Sequence, residues 1–145
     1  GRRPRGASGK PRRMIFVDTS AWIEFLRNTG SATCTAVDDL LGDEIGICDV
    51  VSMEILAGAR DEHHLRQLRG LLARATVVPM TPADYDEAAA LYRRCRRNGE
   101  AVGKLIDCLI AAVALRSHAP LLHADADFDA LVRHTPLTAH PASLA

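Results

Sequence analysis

The sequence lacks a stretch that could cross a membrane and a cysteine pattern typical of a zinc site. Its apolar runs fall well short of a spanning helix, and no apolar region of secretory length follows the basic start. The four cysteines are scattered, without a C-x-x-C pair, which favours free thiols in a cytoplasmic protein. A G-x-S-x-G motif is also missing, which argues against serine hydrolysis. The chain is 48% hydrophobic, as expected for a folded globular domain rather than a disordered chain.

The net charge of zero hides a basic start and an acidic remainder. Residues 1–13 carry six basic residues and no acid, whereas the rest of the chain carries 12 basic and 18 acidic residues. The start is rich in Pro, Gly and Arg, so we expect a flexible tail that adds nothing to the core. It is either a basic arm for nucleic acid or, as we favour, an extension that precedes a start at Met14. Residues 14–145 are predicted to form a single domain.

Strand and helix patterns alternate along the chain. The run from Met14 to Val17 ends on Asp18 and is followed by an amphipathic segment, which predicts a buried parallel strand feeding a helix capped by Thr19 or Ser20. Further strands are predicted at 44–49, 76–80 and 119–123, with an optional edge strand at 135–137. Helices are predicted at 21–27, 31–41, 50–59, 61–74, 81–97, 104–117 and 125–133. This alternation predicts an α/β fold whose central parallel sheet has four to five strands.

Five carboxylates stand where burial makes them costly. Asp18 ends the first strand, Glu54 lies in an apolar segment, Asp107 lies in the most hydrophobic helix, and Asp125 and Asp127 follow the last main strand. Alone, Asp18 could be a helix cap, and Glu54 could belong to an amphipathic face. Together, no basic side chain lies beside them in sequence to neutralise the cluster. Clustered oxygen ligands favour Mg²⁺ or Mn²⁺, and such sites serve phosphoryl chemistry.

In these segments the sequence resembles the PIN domain, and within it the VapC-type toxins of bacterial toxin–antitoxin pairs. The resemblance covers about residues 14–138 and rests on four segments in order: 15–22, 52–58, 107–112 and 121–128. It implies a three-layer PIN-like fold with helices flanking the sheet. It also implies a metal-dependent endoribonuclease that hydrolyses RNA phosphodiester bonds.

The resemblance further assigns roles to residues. It implies a catalytic and metal-binding quartet: Asp18, Glu54, Asp107 and Asp125. Asp127 is a fifth member or an alternative fourth acid. Asp18, Asp107 and Asp125 would hold one Mg²⁺ or Mn²⁺, and Glu54 would hold a second ion or orient the attacking water. Ser20 would contact metal-bound water or phosphate, and the products would be a 5′-phosphate and a 3′-hydroxyl.

A basic cluster precedes the Asp107 helix: Arg93, Arg94, Arg96, Arg97 and Lys104. We expect these side chains to bind RNA, although they could also be a solvated helix end. By resemblance, the substrate is tRNA or another structured RNA. The partners would be a cognate VapB-type antitoxin and a second copy of the toxin, or a toxin–antitoxin hetero-oligomer. A groove for the antitoxin could involve Trp22, Phe25 and residues 61–72, which could equally be core.

Two other functions stay open from the sequence. One is a metal-dependent phosphatase or DNA nuclease of similar fold. The other is a catalytically silent binding module that acts only through its partner. Metal-dependent cleavage of RNA in preference to DNA and phosphate esters tests the first. Loss of activity on substitution of the acids tests the second.

Overall fold

The first strand lies inside a four-stranded parallel sheet. The computed structural model describes residues 13–42 and 44–144, so residues 1–12 of the predicted tail lie outside the described part. The strands are β1 (Ile15–Val17), β2 (Ile45–Ile47), β3 (Thr76–Val77) and β4 (Leu121–Leu122). Their order is β3-β2-β1-β4, and every pair is parallel. The predicted α/β fold is confirmed, and the sheet of the described residues has four strands, within the predicted range of four to five.

The predicted edge strand at 135–137 is wrong. The chain pairs with β4 slightly later, through a single bridge between Ala139 and Leu121. Leu121 donates its amide to the Thr138 carbonyl and accepts from the His140 amide at 2.8 Å. Residues 135–137 cannot form a regular ladder, because Pro136 has no amide hydrogen to donate.

Seven helices flank the sheet in the described part of the chain. They are α1 (Thr19–Leu26), α2 (Ala32–Leu40), α3 (Asp49–Ala57), α4 (Glu62–Leu72), α5 (Pro82–Arg97), α6 (Leu105–Arg116) and α7 (Asp127–His134). Consecutive helices pack in two groups, α1 to α4 and α5 to α7, and α3 also meets α6. Among the residues described, no helix combines the length and the apolar character needed to cross a membrane.

The core forms around the sheet and helix α6. Phe16, Val17, Leu121 and Leu122 are fully buried, as expected for central parallel strands. In α6, residues 107–114 are all buried, which confirms the prediction of a central helix. The four cysteines are free, as predicted, and all four are buried. An acid therefore lies at the start of the most buried helix of the chain.

An ion pair ties the start of α5 to the end of α6. Asp84 is buried, and its two carboxylate oxygens accept from Arg116 Nε at 2.8 Å and Arg116 Nη2 at 2.9 Å. The same Nη2 donates to the Pro79 carbonyl, and the Thr81 amide donates to Asp84. This pair fixes α6 along its axis and with it the position of Asp107 at the opposite end.

The strand order places a crevice beside β1. The chain builds β2 and β3 on one side of β1 and then crosses over to add β4 on the other side. Ligands of open parallel sheets bind at such a reversal, outside the carboxyl ends of the strands. The Asp18 amide donates to the Leu122 carbonyl at 3.0 Å, so the ends of β1 and β4 lie side by side.

Candidate active site

Asp18 divides its two oxygens between the fold and the crevice. Oδ2 accepts from the Ser20 amide at 2.9 Å and the Ser20 hydroxyl at 2.5 Å, so Asp18 caps α1. The helix cap was predicted at Thr19 or Ser20, which is one or two residues after its actual position at Asp18. Oδ1 is buried and has no hydrogen-bond partner among the described residues. The helix-cap interpretation and the active-site interpretation hold together, because each uses a different oxygen.

Ser20 connects the two halves of the crevice. Its hydroxyl donates to Asp18 and accepts from the Ala124 amide, at 2.9 Å, in the segment after β4. The hydroxyl hydrogen is thus committed to Asp18. In this structure Ser20 orients the first acid and fixes it to the segment that carries Asp125.

Three further carboxylates meet across the crevice. One oxygen from each of Asp107, Asp125 and Asp127 lies within 4.8 Å of the others. Asp107 is in the first turn of α6, and its Oδ2 is buried without a hydrogen-bond partner among the described residues. Asp125 Oδ1 accepts from the Asp127 amide at 2.9 Å, which holds both acids at the start of α7, where Asp127 is the first helical residue. Both candidates for the fourth acid therefore belong to the cluster.

Glu54 approaches from the Asp18 side. It lies in α3, half-buried, and its Oε1 accepts from the Thr19 hydroxyl at 2.7 Å. Its charge helps to raise the pKa of Asp18. Asp18 in turn acts on Asp107, so the acids form a continuous row from α3 to α7. Sequence reasoning missed Thr19, whose position next to a catalytic acid was the available signal.

The row of acids is electrostatically strained. Burial and, next, the charge of Asp18 raise the pKa of Asp107 to about 7. Burial also raises the pKa of Asp18 against the opposing hydrogen bonds from Ser20. Burial opposes ionisation of Asp125 as well, but the Asp127 amide and Lys104 prevail and lower the pKa of Asp125.

A lysine lies inside the acidic cluster. Lys104 Nζ is 3.2 Å from Asp125 Oδ2 and 4.0 Å from Asp107 Oδ2. The expectation that no basic side chain neutralises these acids is therefore wrong. Lys104 is the N-cap of α6 and lies three residues before Asp107, a spacing that brings side chains together at a helix start. That spacing was the signal in the sequence.

The four arginines predicted to bind RNA end helix α5. Arg93, Arg94, Arg96 and Arg97 are all exposed. None of them forms an ion pair with another residue of the described ranges, and Arg96 stacks on the Tyr92 ring at 5.7 Å. The structure thus separates the predicted basic cluster into an exposed arginine surface and a lysine in the acidic site.

A groove of about 550 Å³ opens beside Glu54 between helices α1, α3 and α4. Its lining includes Thr19, Ile23, Arg27, Glu54, Arg60 and Leu68. The sequence suggested that Trp22 and Phe25 could line a groove for the antitoxin. In the structure Trp22 is fully buried in the core and Phe25 packs against the core, and neither lines this groove. The groove is apolar at its base and carries basic side chains.

Comparison with known proteins places the chain in a family. The model of the PIN domain matches residues 15–133, a range that contains all five acids. The VapC ribonuclease Mb1587 of Mycobacterium bovis is 44% identical over 130 residues, covering 87% of this chain and 97% of that protein. The Ribonuclease VapC11 of Mycobacterium tuberculosis matches to the same extent.

The chain belongs to the PIN-domain family, in its VapC branch. Solved structures share the fold of this PIN domain. VapBC2 from Rickettsia felis, bound to a promoter DNA fragment, superposes with a TM-score of 0.71 at 18% identity, covering 88% of this chain and 97% of that one. DNA-bound VapBC from Salmonella typhimurium gives 0.68 at 19% identity, with coverage of 89% and 98%.

The donor set of this PIN domain fits a divalent cation. The two buried oxygens without hydrogen-bond partners, Asp18 Oδ1 and Asp107 Oδ2, belong to neighbouring acids in the row. A buried carboxylate oxygen without a partner is costly, and a cation supplies the missing interaction. The groups are all hard oxygen ligands, of the kind that Mg²⁺ and Mn²⁺ prefer.

Proposed function

We propose that this PIN domain is a metal-dependent endoribonuclease toxin whose catalytic acids are Asp18, Glu54, Asp107 and Asp125. The observation that carries the proposal is the pair of buried, unpartnered oxygens on Asp18 and Asp107 beside the cluster of Asp125 and Asp127. The names of the VapC relatives, which are ribonucleases, support the same reaction class.

The proposed cofactor is Mg²⁺ or Mn²⁺. Asp18, Asp107 and Asp125 would hold the ion, with Asp127 as a further ligand. A bound ion of this kind lowers the pKa of water and neutralises charge on a phosphate group. In the protein alone, Ser20 keeps the Asp18 carboxylate oriented toward the crevice.

Glu54 is the proposed proton acceptor for the attacking water. Thr19 fixes Oε1, which leaves Oε2 to receive a proton. Water attacks the phosphorus in line, the bond to the 3′-oxygen breaks, and that oxygen leaves with a proton. The products are a 5′-phosphate and a 3′-hydroxyl. Glu54 is half-buried at the mouth of the groove, where water can reach it.

The proposed RNA contacts are Arg93, Arg94, Arg96, Arg97 and Lys104. The arginines are exposed and unpaired among the described residues, so their charges are available to phosphates. Because residues 14–145 carry more acids than bases, local cations of this kind are required to attract RNA. A structured RNA such as tRNA is the proposed substrate.

The proposed partner is a VapB-type antitoxin, within a toxin homodimer or a toxin–antitoxin hetero-oligomer. Several structures that share the fold are VapBC complexes. The groove between α1, α3 and α4 offers an apolar base to a partner segment and ends at Glu54. A partner seated there would cover Glu54, a proposed catalytic acid that lines the groove.

The test is cleavage of total small RNA by the purified, antitoxin-free protein with Mg²⁺ or Mn²⁺. We expect discrete cuts that disappear with EDTA and in Asp18→Asn and Asp107→Asn. Asparagine at position 18 keeps an oxygen to cap α1, so the fold is retained. Asp39→Asn, which changes an exposed acid of α2, is the matched control and should cleave normally.

Three outcomes would overturn the proposal. Undiminished RNA cleavage in EDTA, or in either Asp18→Asn or Asp107→Asn, would contradict the proposed metal site. Turnover of DNA or phosphate esters without RNA cleavage would favour the nuclease or phosphatase alternative. A folded protein that cuts nothing under these conditions would favour the silent binding module.

A further inference from the structure

Lys104 occupies the part of the acidic site that faces solvent. Its ammonium group contacts Asp125 Oδ2 and lies within ion-pair distance of Asp107 Oδ2. Its side chain is 56% exposed, whereas that of Asp107 is 5% exposed. The lysine therefore extends into the site from the solvent side and places a positive charge next to the two carboxylates.

The backbone next to Lys104 is shaped for this approach. Gly103 packs so closely on Asp127 that a Cβ atom at this position would lie 2.9 Å from Oδ2. With a larger residue at 103, either the Asp127 carboxylate or the segment would have to move. The segment 103–104 thus lies against Asp125 and Asp127 at once, and the N-cap position of Lys104 anchors it to α6.

The lysine and a divalent cation need the same oxygens. Asp107 Oδ2, a buried oxygen without a hydrogen-bond partner among the described residues, lies 4.0 Å from Lys104 Nζ, and Asp125 Oδ2 lies 3.2 Å from it. An ammonium group and a divalent cation a few ångströms apart repel each other, and this repulsion is several times stronger in a partly buried site than in water. Lys104 and the metal ion therefore cannot both bind Asp107 and Asp125 tightly at the same time.

We propose that Lys104 is a built-in counter-ion that competes with the divalent metal for Asp107 and Asp125. It lowers the affinity for the metal and holds the acids together in the metal-free protein. The inference rests on the proposed metal site, but it concerns metal binding and needs no RNA. When the metal binds, the ammonium group leaves Asp125.

The first experiment measures Mn²⁺ binding by calorimetry for the wild type and Lys104→Gln, without RNA. We expect Lys104→Gln to bind Mn²⁺ about fivefold to tenfold more tightly, which corresponds to about 1 kcal/mol. The metal-free variant should also melt at a lower temperature than the wild type in EDTA. Arg66→Gln, which removes an exposed cation from α4, is the charge-matched control and should change neither quantity.

The second experiment observes the lysine directly. The sequence contains two lysines, Lys10 and Lys104, so methylation with ¹³C-formaldehyde labels very few amines and preserves their charge. The resonance that is missing from Lys104→Gln belongs to Lys104. We expect saturating Mg²⁺ to shift this resonance toward the position of a solvated lysine.

The outcomes separate this inference from the proposed function. Equal Mn²⁺ affinity in the wild type and Lys104→Gln, or an equal gain in Arg66→Gln, would overturn the competition and leave the metal site intact. A Lys104 resonance that does not shift with Mg²⁺ would likewise overturn the competition and leave the metal site intact. Absence of Mn²⁺ binding in both proteins would overturn the metal site and the competition together.

Discussion

Two of the proposed catalytic acids, Asp18 and Glu54, are each held by a neighbouring hydroxyl group that engages only one carboxylate oxygen. Ser20 takes one oxygen of Asp18, and Thr19 takes one oxygen of Glu54. Each arrangement fixes a carboxylate while leaving the other oxygen for chemistry. The hydroxyl residues after β1 thus serve two different acids, in two different directions. From the sequence both were candidate helix caps, because their partners lie far away along the chain.

Asp107 should make the metal-free protein less stable as the pH rises. Its pKa is about 7 in the folded protein and near 3.8 when unfolded, so the folded state binds more protons between these values. The free energy of unfolding therefore falls from about pH 4 to about pH 7, and the cost is fully present above that range. Asp107→Asn cannot ionise, so in EDTA at about pH 8 it should exceed the wild type by on the order of 2 kcal/mol.

Urea unfolding in EDTA across this pH range measures the effect. The exposed Asp39→Asn serves as the control and should follow the wild type. If Asp107→Asn showed the same pH dependence as the wild type, the carboxylate would not be titrating in the buried state described here.

Thr19 should matter for turnover much more than for stability. Thr19→Val removes the hydroxyl that fixes Glu54 Oε1 and keeps the shape of the side chain. We expect kcat to fall about tenfold, since a free Glu54 is less often in position, with a loss of stability below about 1 kcal/mol. Thr19→Ser keeps the hydroxyl and should restore kcat. A variant with normal kcat would show that Glu54 needs no such support.

At the scale of elements, helices were predicted more accurately than strands. The capping pattern at Thr81 and Pro82 predicted the start of α5, and the uninterrupted apolar run predicted that α6 is buried. The strands are two or three residues long, shorter than the segments predicted at 44–49, 76–80 and 119–123. Apolar residues just outside the ladders, such as Cys48 and Ala119, are also buried. The sequence pattern cannot distinguish a buried residue in a strand from a buried residue next to one.

The ion pair between α5 and α6 was not visible in the sequence, since Asp84 and Arg116 are far apart along the chain. Removing one partner by Asp84→Asn should cost about 2 kcal/mol near pH 7, a value reduced because the Arg116 side chain is 40% exposed. The hydrogen bond from Arg116 lowers the pKa of Asp84 below 3.8. This stabilisation is therefore present above about pH 4 and is lost as the pH falls through the lowered value.

Unfolding by urea near pH 7 and near pH 3 tests this expectation. The gap between the wild type and Asp84→Asn should narrow in acid, whereas the exposed Asp86→Asn should show no gap at either pH. A gap that is the same at both pH values would point to lost packing rather than a lost charge.

For the whole molecule, topology explains how acids distant in sequence form one site. The return to β4 beside β1 brings Asp125 next to Asp18, and the burial of α6 brings its first turn to the same crevice. The sequence predicts which acids are costly to bury, because each interrupts an apolar segment. It does not predict which oxygen is free. The three-residue spacing of Lys104 and Asp107 was a signal for their ion pair, but the contact of Lys104 with Asp125 joins residues 21 positions apart and depends on the fold.

Residues 14–145 carry more acids than bases, so we expect the exposed arginines at the end of α5 to be decisive for the proposed RNA binding. Each phosphate contact on a single strand contributes about 0.7 to the slope of log affinity against log salt. The double variant Arg93→Gln with Arg97→Gln should therefore reduce the slope by about 1.4 if both bind phosphate. Filter binding from about 50 to 200 mM salt, in an Asp18→Asn background that prevents cleavage, measures the slope.

The comparison needs a control with the same change in net charge. Arg66→Gln with Arg69→Gln removes two exposed cations from α4 and leaves the end of α5 intact. A general field effect would weaken binding equally in both double variants, because each loses two charges. Phosphate contact at α5 predicts a flatter slope in the Arg93 and Arg97 variant alone. An equal slope in all three proteins would mean that these arginines are a solvated helix end and that RNA is held elsewhere.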